Sequence, residues 1–316
     1  MIWILDNEWP DYELEKRLLK DYFPNTEVII SRDNFEKDAI KYGDKIEGVL
    51  CQVSIKLDKN ILNKLEKCKC ISVFGTGYEN IDIETCQNLG ISVVNVRGYC
   101  NDDISDYTLA AILNHNKPID YYHDNLKLFL KEGKWGAETV VSNTRRLSKQ
   151  TALIVGFGNI GKAIAKKLKN VGMRVIINDD YMTEEQVSEY GFSFVSWEEG
   201  FKQADYISVN IRGIEVNRDR IGKKEFELMK NSALIINTSR GLVIDETELI
   251  KAVNNKNIGG AVLDVIKEEP PNADDPIINT KGIMVTPHIS YASVDSLLDL
   301  RTIAVENLVE NIKNNI

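Results

Sequence analysis

A chain of 316 residues has room for about two domains, and a core of that size needs no disulfide or metal staple. Its 39 basic and 48 acidic side chains leave a net charge of −9, which repels phosphate backbones and anionic bilayers, so neither nucleic acid nor a membrane surface is an expected partner. No apolar run approaches the ~20 residues of a membrane span, and Met1–Asp6 lacks the basic start of a secretory signal, so a cytoplasmic location is expected.

Ile2–Leu5 opens the chain as a short apolar run, and Tyr12–Phe23 follows with Leu14, Leu18, Leu19 and Tyr22 at helical spacing. Val28–Ile30 and Gly48–Cys51 read as buried strands. Asp58 caps a predicted helix through Leu65 that places Ile61, Leu62 and Leu65 on one face. Cys70–Phe74 is a strand leading into Gly75-Thr76-Gly77, and Ile91–Val94 is another. Such βαβ alternation predicts a parallel sheet flanked by helices. The five cysteines, Cys51, Cys68, Cys70, Cys86 and Cys100, read as reduced thiols. Cys68 and Cys70 are expected on the same face of one strand, and no metal site is read.

Asp102–Leu113 has helical apolar spacing (Ile104, Tyr107, Leu109, Ala111, Ile112) and runs on, broken by Pro118, towards Leu130; a domain crossover is placed here. A second α/β cycle begins after Arg145-Arg146. Its strands are predicted at Ala152–Val155, Arg174–Ile177, Phe192–Val195, Tyr206–Val209, Ala233–Ile236, Gly259–Leu263 and Ile283–Val285, with helices that include Ile160–Val171 and Thr247–Val253. The return crossover falls near Ser290–Leu300.

Gly156-Phe157-Gly158-Asn159-Ile160-Gly161 follows an apolar strand and opens a helix with Ile164, Leu168 and Val171 on one face, the context a dinucleotide fingerprint requires. The first glycine permits the turn, the second lets backbone approach a pyrophosphate, and the third lets helix and strand pack closely. The helix N-terminus presents N–H groups and a positive dipole end to the phosphates. The next strand ends in Asp179-Asp180, and Asp179 lies 18 residues beyond Gly161. An acid there accepts from a ribose diol and repels a 2′-phosphate, so NAD is expected over NADP.

The chain has three histidines. His115 and His123 are expected at the surface or an interface. His288 follows Val285-Thr286-Pro287 at the C-terminal end of a strand, where α/β enzymes place ligands. Two other strands end in Thr238-Ser239-Arg240-Gly241 and in Asp264, with Glu268-Glu269-Pro270 shortly after it. Reducing a 2-keto acid needs a cation for its carboxylate and carbonyl, a proton donor for the developing alkoxide and a carboxylate that keeps that donor protonated. Arginine, carboxylates and histidine therefore emerge at the edge that carries the glycine loop.

Taken in order, Gly75-Thr76-Gly77-Tyr78-Glu79-Asn80-Ile81-Asp82, Gly156 to Gly161, Asn237 to Gly241, Asp264 to Pro270 and Thr286-Pro287-His288 make the chain, from about Val49 onward, resemble the D-isomer-specific 2-hydroxyacid dehydrogenases. Tyr99 to Asp106 is most similar to the branch that includes the C-terminal-binding-protein corepressors. The resemblance implies two Rossmann/flavodoxin-like parallel-sheet domains with a cleft that closes. One would be a discontinuous substrate domain, 1–98 plus 290–316, and the other an NAD-binding domain, 99–289. It also implies a homodimer. By position, His288 is the acid–base, and Glu269 pairs with it and favours its protonated form. Arg240 binds the substrate carboxylate and carbonyl, and Thr76 and Gly77 offer backbone N–H groups to that carboxylate. Tyr99 and Tyr291 line the pocket. Gly156, Gly158, Asn159, Ile160, Gly161, Asp179, Thr238, Ser239, Arg240, Asp264 and His288 form the cofactor set, with Asp264 on the nicotinamide carboxamide.

Three departures stand out. Arg212 replaces a common proline near the adenine end, where it stacks or reaches a 2′-phosphate. Asn159 replaces a common arginine at the phosphate turn. Leu147–Thr151 lacks a usual glycine. The reading is an NAD-dependent dehydrogenase acting on a small 2-keto or 2-hydroxy acid. The alternative is a dinucleotide-sensing scaffold of the corepressor type, which would expect an appended partner-binding tail that the chain, ending soon after its last helix, is not expected to carry.

Overall fold

The computed structural model describes residues 1–6, 8–140 and 144–314. Its strands form two parallel sheets, each in its own compact unit: Met1–Cys100 with Ala292–Ile316, and Asn101–Tyr291. This is the expected fold class.

In the first unit, β1 (Ile2–Leu5), β2 (Val28–Ser31), β3 (Gly48–Gln52), β4 (Cys70–Phe74) and β5 (Ser92–Asn95) lie in the flavodoxin-like order β2-β1-β3-β4-β5. The strands read as unbroken apolar runs because both faces are covered. Trp3, Leu5, Val49, Ile71 and Val73 pack on one side with Leu57, Ile61 and Leu62, and Ile2, Ile4, Leu50 and Phe74 pack on the other with Leu300, Ala304, Leu308 and Ile312 of the closing helix Val294–Asn314. Gly48 is where that helix comes closest: a Cβ there would stand 2.7 Å from the Ile312 side chain. Arg301 on the helix forks onto the fully buried Glu15 at 2.5 and 2.6 Å.

Two local expectations are corrected here. The Asp58-capped helix stops at Leu62, because Lys64 and Leu65 pair three residues back and the chain tightens into turns, with Leu65 still buried. Cys68 and Cys70 do not share a face. Cys68 sits in a turn, its N–H on the Leu65 carbonyl, and packs with Ile71 and Val73, whereas Cys70 packs with Ile2 and Leu50.

The second unit holds β6 (Thr151–Val155), β7 (Arg174–Asn178), β8 (Ser193–Phe194), β9 (Tyr206–Val209), β10 (Leu234–Asn237), β11 (Gly260–Leu263) and β12 (Ile283–Val285), in the order β12-β11-β10-β9-β6-β7-β8. β8 is shorter than expected: it is an edge strand, and Phe192 turns to meet the Phe157 ring at 5.6 Å. The order reverses between β6 and β9, the topological switch point at which open α/β sheets bind ligands. Helix Asn101–Asn116 ends before Pro118, and short helices Ile119–Asp124 and Leu126–Lys131 follow. Asn116 ties its end to Arg145 through two hydrogen bonds, at 2.8 and 3.0 Å.

Candidate active site

The switch point is built by glycine. Gly156, φ +91°, turns so tightly after β6 that a Cβ would lie 2.6 Å from the Asn210 carbonyl oxygen beyond β9. At Gly161 a Cβ would lie 2.1 Å from the Gly156 carbonyl oxygen. Gly158 differs: apart from its chain neighbours, nothing among the described residues lies within 4 Å of a Cβ placed there. Gly158 is also the cap of helix Asn159–Asn170 and provides no side-chain acceptor, so no capping side chain occupies the first-turn N–H groups. The fold requires glycine at 156 and 161, whereas only an approaching ligand would require it at 158, which is how a pyrophosphate cradle is made.

Asp179 ends β7 beside this loop. Its Oδ2 accepts from the Phe157 N–H at 2.6 Å, and its Oδ1 accepts from Tyr181 and Met182 at 2.8 and 3.1 Å. A carboxylate has about four acceptor positions, so capacity for a hydroxyl remains. Asp180, the next residue, is exposed and is forked by Arg220. Arg212 is exposed, and its carbonyl accepts from Asn217 at 2.9 Å.

β10, β11 and β12 are adjacent and parallel, so their C-terminal ends share one edge of the sheet. The sharp turn after β10 is closed by Asn237, whose side chain accepts from Ser239 N–H and Oγ and donates to the Arg240 carbonyl. The Arg240 stem lies against Gly213, where a Cβ would be 2.3 Å from it, and Gly241 lets Ile266 pass at a distance no Cβ permits.

Glu269 accepts from the Ile266 N–H at 2.9 Å through one oxygen and meets His288 Nδ1 at 2.7 Å through the other. Burial disfavours its charge, but the hydrogen bond and charge of His288 and the Ile266 N–H outweigh that and hold the carboxyl below the usual glutamate value. His288 is 42% exposed, has φ +53°, and sits edge-on to Tyr291 with ring centres 6.1 Å apart. With Nδ1 committed to Glu269, Nε2 is the nitrogen left for other work.

Asp264, expected at the nicotinamide carboxamide, clamps the turn that carries His288. Its carboxylate is wholly buried; it accepts from Thr286 Oγ1 at 2.6 Å and from the Ile289 and Ser290 N–H groups at 2.8 Å each, and its carbonyl accepts from the His288 N–H at 3.0 Å. Because Thr286 spends its proton on Asp264, Tyr107 donates to the Thr286 oxygen, at 2.6 Å. Burial raises the Tyr107 phenol above its ordinary pKa. Tyr107 and Thr286 are thus structural supports of the histidine turn that the sequence reading passed over. Tyr107 lay on an apolar helical face and read as core; nothing in its spacing marked the hydroxyl.

His115, expected at the surface or an interface, is only partly exposed. It is half-buried, edge-on to Tyr206 at 5.8 Å, and burial lowers its pKa. Thr76, Gly77 and Tyr99 belong to the first unit. Thr76 Oγ1 donates to the Val96 carbonyl at 3.0 Å, and its own carbonyl accepts from Asn95 at 2.6 Å. Gly77 is buried, and the half-buried Tyr99 packs against the Ile2–Phe74 cluster.

The sequence model of the D-isomer specific 2-hydroxyacid dehydrogenase NAD binding domain matches residues 109–290. A glyoxylate reductase of Thermococcus litoralis is 33% identical over 277 residues, covering 86% of this chain and 82% of its own. One of Aeropyrum pernix is 30% identical over 260 residues, covering 80% and 76%. Among solved structures, a D-lactate dehydrogenase of Aquifex aeolicus, complexed with NAD and lactic acid, superposes with a TM-score of 0.83 at 24% identity, over 100% of this chain and 96% of its own. The chain belongs to the D-isomer specific 2-hydroxyacid dehydrogenase family. It is an NAD-dependent oxidoreductase, and 109–290 is its NAD binding region. Among the described residues no helix is long and apolar enough to cross a membrane.

Proposed function

We propose that the protein interconverts a small 2-keto acid and the corresponding D-2-hydroxy acid, with His288 as acid–base, Glu269 as its partner and Arg240 as the carboxylate and carbonyl ligand. The observation that carries this reading is the 2.7 Å contact between His288 Nδ1 and Glu269 at the sheet edge onto which Arg240 also emerges. NAD, when bound, supplies or accepts the hydride. The chain does the rest. Glu269, held ionised, stabilises the imidazolium and fixes its ring, so that Nε2 delivers its proton to the carbonyl oxygen as the alkoxide forms. Arg240 opposes the charge that develops on that oxygen, and its fork suits a carboxylate. In the reverse direction Nε2 takes the hydroxyl proton.

Gly156, Gly158, Asn159, Ile160 and Gly161 are assigned to the pyrophosphate and Asp179 to the ribose, supported by the open backbone at Gly158. Thr238, Ser239, Arg240 and His288 are assigned to the nicotinamide end. Asp264 is assigned there through the 286–290 turn that it clamps. Tyr291 is assigned to the wall beside His288. In the first unit the Gly75–Gly77 loop offers the Thr76 and Gly77 N–H groups to a carboxylate, and Tyr99 is assigned to the substrate side. The glyoxylate reductases among the relatives favour a substrate of that size. A homodimer is supported by the exposed apolar side chains of the segment after Pro118: Ile119 (75% exposed), Leu130 (57%) and Trp135 (72%).

The test is NADH oxidation across a panel of 2-keto acids by wild type and His288→Gln. Turnover falls by about a hundredfold to ten-thousandfold in the variant while NADH still binds. Equal turnover in both would end the assignment of His288.

A further inference from the structure

We propose that the Asp180–Arg220 pair is a second determinant of cofactor choice, in which Asp180 keeps occupied a cation that would otherwise receive a 2′-phosphate. The inference rests on the reading of Gly156–Gly161 and Asp179 as the dinucleotide site.

The two carboxylates that end β7 point to different partners. Asp179 spends both oxygens on backbone N–H groups, including that of Phe157 inside the glycine loop, and so stands against the loop. Asp180 spends both oxygens on one guanidinium: Arg220 Nη2 reaches Oδ1 at 2.8 Å, and Nη1 reaches Oδ2. Arg220 comes from the segment after β9 and is fixed on three sides. Its Cζ lies 4.4 Å from the centre of the Trp197 ring, Nη1 also donates to Asn217 Oδ1 at 3.1 Å, and Asp180 closes the fork. The Trp197 platform is itself pinned by its ring N–H on Glu225 at 3.0 Å. The Arg220 side chain keeps 26% of its surface, so it is positioned but not sealed off.

The charges follow from this geometry. With the pair intact, Asp180 and Arg220 cancel, and Asp179 remains as the uncompensated charge beside the loop, which suits a ribose diol and repels a phosphate. The fork that holds Asp180 has the shape and donors that hold a phosphate, and stacking on an indole is how arginine is held ready for one. Without Asp180, a positioned guanidinium faces a site one negative charge poorer. Asp180 lowers the affinity for a 2′-phosphate by occupying the Arg220 fork and neutralising its charge. Arg220 draws the Asp180 carboxyl below its usual range, so the pair stays closed at neutral pH.

The experiment titrates NADH and NADPH into the full chain by fluorescence, for wild type, Asp180→Ala, Asp180→Asn, Asp180→Ala/Arg220→Ala and Asp179→Ala, each checked by circular dichroism and thermal melting. The ratio of NADPH to NADH affinity rises by about tenfold or more in Asp180→Ala. Asp180→Asn, which keeps the shape, moves the ratio the same way and serves if the alanine variant does not fold. The gain disappears in the double variant and shrinks with added salt. An unchanged ratio in the folded Asp180 variants, or a gain that survives loss of Arg220, overturns the proposal. If Asp179→Ala then still weakens NADH, the nucleotide site stands and only the latch is wrong; if Asp179→Ala has no effect either, the site reading itself has failed.

Discussion

Each sheet carries a glycine loop directly after a strand, and the two loops are finished differently. After β4, Gly75-Thr76-Gly77 is sewn sideways to the end of β5: Val96 donates to the Gly75 carbonyl, Asn95 to the Thr76 carbonyl, and Thr76 Oγ1 donates back to Val96. The helix that follows, Ile83–Asn88, is already capped by Asp82, which accepts from the Thr85 N–H at 3.0 Å. After β6, the loop runs straight into helix Asn159–Asn170, whose cap is a glycine with nothing to offer. Glycines at a strand end therefore do not by themselves make a phosphate site. What distinguishes the two is whether the protein has closed the next helix N-terminus with its own carboxylate. The first loop is left with short stretches of N–H suited to one carboxylate, and the second with an open helix end suited to a pyrophosphate.

The largest effect that would probe this difference is expected at Gly161. A methyl group 2.1 Å from the Gly156 carbonyl oxygen meets backbone that cannot swing aside. Gly161→Ala is therefore expected to lose the upper end of the roughly 1–3 kcal/mol typical of overpacking, or more. At about 2–4 °C per kcal/mol for a unit of this size, the melting point falls by roughly 6–12 °C, and NADH binding is lost with the loop. A thermal melt with and without NADH checks both. Gly75→Ala is expected to be milder. Gly75 has φ +156°, which strains any other residue, but the nearest obstacle, 2.5 Å away, is a Val53 methyl that can rotate. Strain of about 1–2 kcal/mol is expected. Steady-state kinetics should show a raised KM for the keto acid with the NADH Kd unchanged. A weakened NADH Kd in Gly75→Ala would show that the two loops are not divided in the way described.

Much of this was legible because strong, long-period signals carried it. β1, β4, β9 and β12 run between the predicted residues, as unbroken apolar stretches between polar turns. The glycine loop and the Arg240, Glu269 and His288 edge were visible as residue types at strand ends. Short helices such as Glu184–Glu189 and Trp197–Gln203 were passed over, although Thr183 with Gln186 forms a capping box and Ser196 caps the next helix. One or two turns show too little periodicity, and only the caps would have revealed them. Long-range polar pairing was not legible at all. Asp180 with Arg220, Tyr107 with Thr286 and Glu15 with Arg301 join residues 40, 179 and 286 positions apart, and no local pattern records which charge meets which. The buried clamp at Asp264 was not legible for the same reason: its donors are the Thr286 hydroxyl and the backbone of 289 and 290, which no residue pattern displays.

Gly158 gives the smallest structural effect and the cleanest test of the comparison. Because no atom of the described residues beyond its chain neighbours lies within 4 Å of a Cβ placed there and its φ of −72° is open to any residue, Gly158→Ala leaves the fold without strain. Its melting point is expected within about 2 °C of wild type, since alanine in a compatible conformation changes stability by well under about 1 kcal/mol. If that empty space is where a pyrophosphate approaches the backbone, the added methyl meets the ligand instead, and the NADH Kd rises by about tenfold or more. The keto-acid KM measured at saturating NADH stays near wild type, because the other loop is untouched. A melting point that drops sharply would mean that the protein itself needs glycine at 158. A native melt with unchanged NADH affinity would mean that the open helix end holds no phosphate, and the distinction between the two loops would lose its basis.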